Sequence, residues 1–168
     1  MNWKTLVVII AAGLLLRSRR NRFMLSKNFG LDEFVKSNKA RQLGIDNTPG
    51  PMEIANLGAL VINVLQPLRD AMGFPVIITS GYRSPALNEA VGGSTNPISQ
   101  HTKGEAADIV GQNKAKMFYY IKDNLPFDQL IWESGNNDQP DWIHVSYKAI
   151  GNRKQVLRYT PGQGFSNF

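Results

Sequence analysis

One change of periodicity constrains this chain more than any other feature. Ile54, Leu57, Val61, Val64, Leu65, Leu68 and Met72 recur at steps of three and four residues. That spacing predicts an amphipathic helix from about Met52 to Met72, ended by Gly73. Pro67 falls inside it and is expected to kink or interrupt it, because proline donates no backbone hydrogen bond. Past Gly73 the pattern changes. "PVIITS" (75–80) is rich in β-branched residues and reads as a strand. "AADIV" enters another, and "FDQLIWE", "WIHVSY" and "KQVLRYT" read as three more. Shorter helices are expected at "LDEFVKS", "ALNEAV" and "NKAKMFYYIKDNL", the last turning Met117, Tyr120 and Ile121 inward. "DNTPGP" (46–51) is a turn-rich linker. With helices mostly early and strands mostly late, the expected class is α+β, a small and largely antiparallel sheet packed with helices.

A chain of 168 residues with 42% hydrophobic and 19% charged residues is long and apolar enough for one core-forming domain plus a short extension. The net charge of +6 is unevenly placed. Five of the 19 basic residues lie in residues 1–23, which hold no acid, leaving 14 against 13 acids in the rest. A body so near neutrality gives no support to nucleic-acid binding. The lack of cysteine excludes disulfides, thiolate metal ligands and a thiol nucleophile.

Residues 1–23 form a separate extension, with residues 24–168 as the domain. Lys4 is followed by twelve uncharged residues, Thr5–Leu16, and then an arginine cluster. The apolar run is shorter than the ~20 residues of a spanning helix and resembles the core of a signal peptide. Arginines beyond such a run tend to stay cytoplasmic. An uncleaved signal, a marginal anchor giving weak membrane association, and sequence upstream of a second start at Met24 all remain open.

The chemistry-bearing residues are few. Only His101 and His144 offer imidazole. His101 lies in "SQHTKGEAAD" (99–108), where Gly104 permits a sharp reversal before Asp108. In "WIHVSY", alternation places Trp142, His144 and Ser146 on one face and Ile143, Val145 and Tyr147 on the other. The apolar set suits the core, so His144 is expected to face outward. Two histidines and one carboxylate with an open fourth position make a catalytic zinc arrangement. A hydrolytic site also needs a base, and either Asp141 or Glu133 is in reach. Arg83, in the turn "SGYRSP", is a candidate for a substrate oxygen and equally for a salt bridge. Tyr82 and Trp142 are candidates to wall a pocket or simply to pack.

Together, "SQHTKGEAAD", "DWIH" and "TSGYRSPALNEAVGG" resemble the motifs of the zinc D-Ala-D-Ala peptidases, which share a fold with Hedgehog signalling domains. The resemblance runs from about Met24 to Tyr147 and is nearest the small bacterial and phage-borne members. It implies that His101, Asp108 and His144 bind Zn2+ and that Asp141 stands where the family has a catalytic glutamate. Arg83 would stabilise the oxyanion, and Ser99 would lie near the substrate. Aspartate at 141 is shorter by one methylene, so Glu133 stays in contention. The implied substrates are peptidoglycan stem peptides, cut by carboxypeptidase or endopeptidase action. A non-catalytic, zinc-containing wall-binding module is the rival reading. A monomer is expected, in the cell envelope or as a cytoplasmic phage lysis protein of endolysin type.

Overall fold

The computed structural model describes residues 22–168. Almost all of the 1–23 extension lies outside the described residues. No helix among the described residues is long and apolar enough to cross a membrane.

Two short helices, α1 (Leu31–Val35) and α2 (Asn38–Leu43), open the fold. The helix read from the apolar stripe follows as α3 (Pro51–Leu60), a π-helical turn (Val61–Leu65) and α4 (Gln66–Met72). It ends at Gly73, whose φ of 72° is the left-handed conformation that favours glycine at a helix end. The expected break at Pro67 takes another form. The Gln66 N–H donates to Val61 O, five residues back. This wider turn lets the chain pass the missing proline donor without ending the helix.

Strand β1 (Ile77–Ser80), helix α5 (Pro85–Ala90), a 3-10 turn (Gln100–Lys103) and β2 (Ala106–Val110) come next. Helix α6 (Lys114–Asn124) leads into β3 (Gln129–Glu133), β4 (Trp142–Ser146), β5 (Gln155–Thr160) and β6 (Gly164–Asn167). The sheet order is β1-β2-β4-β3-β5-β6. Every pairing is antiparallel except β3 with β5. The α+β expectation therefore holds.

One sheet face is apolar. Ala107, Ile109, Leu130, Trp132, Ile143 and Val145 are fully buried there, in one core with Leu57, Val61, Leu65 and Leu68 of the long helix. Met117, Phe118 and Ile121 of α6 join that core. Phe118 takes the place expected for Tyr120, which is only partly buried against it. Burying one such aliphatic side chain is worth about 1.5–3 kcal/mol, so this face fixes the sheet and leaves the opposite face for chemistry.

Candidate metal centre

Three strands and one turn build the site on that opposite face. Asp108 and His144 are direct cross-strand partners on β2 and β4. Alternation from Ile143 and Val145 in the core turns His144 to the other side, as expected. It is nonetheless buried there rather than open to solvent, because the turn carrying His101 covers it. That turn closes at Gly104 with φ 68°. A Cβ on Gly104 would run into the backbone of Glu53, so the turn needs glycine for space as well as for conformation.

The ligating atoms converge. His101 Nε2 lies 3.2 Å from His144 Nδ1 and 3.3 Å from Asp108 Oδ1, and His144 Nδ1 lies 3.1 Å from the same oxygen. Four-coordinate zinc with bonds of ~2.0–2.2 Å needs ligand atoms roughly 3.3–3.5 Å apart, so the triangle is close to that size. Protonation favours the same answer. His101 Nδ1 lies 2.7 Å from Gly81 O and must carry a proton to donate there. In the neutral ring Nε2 then presents a lone pair toward another imidazole nitrogen and a carboxylate oxygen. One imidazole proton cannot satisfy all three edges, whereas a cation does. On the far side of its ring, His144 Nε2 is buried without a partner. These three residues form a cluster that could hold a metal ion.

Asp108 is prepared for that role. Burial would raise its carboxyl, but the facing His101 and His144 outweigh burial and hold it well below the usual carboxylate range. Its other oxygen, Oδ2, accepts from Arg83 Nη2 at 2.8 Å, while Arg83 Nε donates to Ser80 Oγ at 3.0 Å. Arg83 thus pairs with a carboxylate of the site itself and not with a surface acid.

The cluster opens onto a groove of about 900 Å³ that Ser99, Arg83, Glu133 and Trp142 also line. Glu133 stands beside Trp142 in the β3–β4 register, and its carboxyl is raised, first by burial and also by Asp108. Two sequence expectations do not reach the groove. Asp141 is exposed in the bend just before β4 and is not among the residues that line it. Tyr82 is buried in the apolar core instead of walling the site.

The Peptidase M15 family profile matches residues 27–146. The chain belongs to this family. Within the match, the M15 chain carries His101, Asp108, His144, Arg83 and Glu133. Strands β5 and β6 of this M15 member fall beyond it, although Leu157, Tyr159 and Phe165 line the groove. No curated protein matches the chain.

Sequence reasoning missed one charged residue beside the site. Asp128 is completely buried and bound by Arg153 and by Gln100, the neighbour of His101. No periodicity marked it, because Asp128 lies in the bend before β3 and its partners come from segments distant in sequence.

Proposed function

We propose that this M15 chain is a zinc peptidase that hydrolyses peptide bonds in peptidoglycan stem peptides. The supporting observation is the convergence of His101 Nε2, His144 Nδ1 and Asp108 Oδ1 at the floor of a groove that also holds a raised carboxyl. Zinc bound by those atoms would supply Lewis acidity that polarises a carbonyl and acidifies a water. Arg83 fixes the orientation of Asp108 and adds positive charge on the wall where an oxyanion would develop. Glu133 takes the proton of the attacking water and returns it to the leaving amine. Trp142, partly exposed at the groove edge, offers an apolar wall to the substrate. Ser99, at the start of the turn that carries His101, faces the same groove and offers a hydroxyl to the peptide backbone.

The test is mass spectrometry of products from purified peptidoglycan and from a defined stem peptide, with and without a chelator. Chelator-sensitive release of amino acids or peptides supports the reading. Tight wall binding with no release would replace it with the wall-binding module.

A further inference from the structure

The groove has two unlike sides, set by strand register. Its middle row runs Asp108, His144, Ile131 and Leu157 across four strands. Trp142, Glu133, Tyr159 and Phe165 form the row on one side, which is mostly aromatic. The row on the other side is polar. The Gln129 N–H donates to Ser146 Oγ at 3.0 Å, and Gln129 pairs with Gln155. Beyond that polar row, Lys148 and Arg153 line the end of the groove.

Asp128 fixes this end. Its carboxylate accepts from Arg153 Nε and Nη2, from the Arg153 backbone N–H, and from Gln100 Nε2 at 2.9 Å. Lys148 Nζ stands 3.5 Å from it, too far for a good hydrogen bond. The side chains of Lys148 and Arg153 remain 32% and 49% exposed, and Arg153 Nη1 makes no hydrogen bond among the described residues. Lys103 and Glu105 also line this end. Three cations therefore face two carboxylates, Asp128 enclosed and Glu105 with one oxygen buried without a hydrogen-bond partner among the described residues, and the formal charge of the end is positive by one. An enclosed carboxylate that holds an arginine rigid while leaving donors exposed is a preorganised anion receptor.

We propose that Lys148 and Arg153 form a subsite for a carboxylate of the substrate peptide, on the polar side of the groove. This rests on the peptidase reading above. Asp128, which carries the Arg153 guanidinium, lies three residues along the chain from Ile131 in the metal row. At ~3.3 Å per residue that is about 10 Å, the length of two to three extended substrate residues. The carboxylate recognised there is a chain-terminal α-carboxylate or an acidic side chain at that distance from the cut bond. Both positions lie outside the matched family span, so specificity here is written by this chain's own C-terminal segment.

The test uses the zinc-loaded full chain and stem-type peptides that end in a free acid or an amide. Each is made with and without an acidic side chain two to three residues from the cut bond. Calorimetric Kd and kcat/KM are both measured. The carboxylate-bearing peptide is expected to bind at least about tenfold tighter, as a charge-assisted pair allows. Preference for the terminal acid identifies an α-carboxylate, and preference for the acidic side chain identifies an internal one. Lys148→Gln should bring the ratio toward one, and Lys148→Arg should keep it. Arg153→Lys, which preserves a partner for Asp128, should lower it in part. Equal binding of all four peptides to the unsubstituted chain, or a ratio unchanged in Lys148→Gln, overturns the subsite. If no peptide is cut, the peptidase reading fails instead, and the calorimetric ratio still decides the subsite.

Discussion

Glu133 and Asp141 lie near each other, with the Asp141 N–H donating to Glu133 O, yet only Glu133 faces the groove. Glu133→Gln is expected to retain zinc and lose about 10²–10⁴ in kcat/KM. Asp141→Asn should change it by no more than a few-fold. Steady-state kinetics with a bound-metal assay separates the two, and the opposite ranking reassigns the base. His144→Ala should lose metal and turnover together, read by calorimetric zinc titration. The convergence of His101, Asp108 and His144 was legible because spacing and alternation reach across strands that pair directly. Sequence left the base open between Asp141 and Glu133, since the choice depends on which face a loop-end residue takes after a turn. Asp128 yields a stability prediction at the same scale. Burial would raise its carboxyl, but Arg153 holds it at about 2 in the folded chain. Unfolded, it titrates near ~4. Its stabilisation, on the order of 1–2 kcal/mol with Arg153 half in solvent, is complete above pH ~4 and disappears as pH falls toward 2. Denaturant midpoints of Asp128→Asn and the unsubstituted chain should therefore converge over that window.

Among the elements, the long helix and the five strands read from periodicity are all present. α2, the 3-10 turn and β6 were not legible. Each is four to six residues long, too short for a period to show, and is held by its surroundings. The 3-10 turn matters most, because it carries His101 and its glycine cap is in contact with α3. Gly104→Ala should destabilise the fold by about 1–3 kcal/mol and weaken zinc binding as His101 is displaced. Urea unfolding and zinc titration measure the two effects. A stable variant with full zinc affinity would show that the turn has another way to close.

For the molecule as a whole, bound metal would tie the turn, β2 and β4 together and stabilise only the folded state. At a thousandfold excess over Kd, that amounts to about 4 kcal/mol, or roughly 10 °C in a domain of this size. Calorimetric melting with zinc and after chelation should show a drop of that order. The pairing of Asp108 with His144 also bears on how the chain can change in length. Between the two strands in sequence lie α6, β3 and the 134–141 loop, and of these the loop is connection alone. Extra residues at the exposed 136–138 tip cost little, since loop closure rises only logarithmically with length. A single residue added inside β4 would exchange its two faces, sending His144 into the core and Val145 toward the groove. For descendants of this sequence, growth at the tip is open, while the parity of β4 is inherited unchanged.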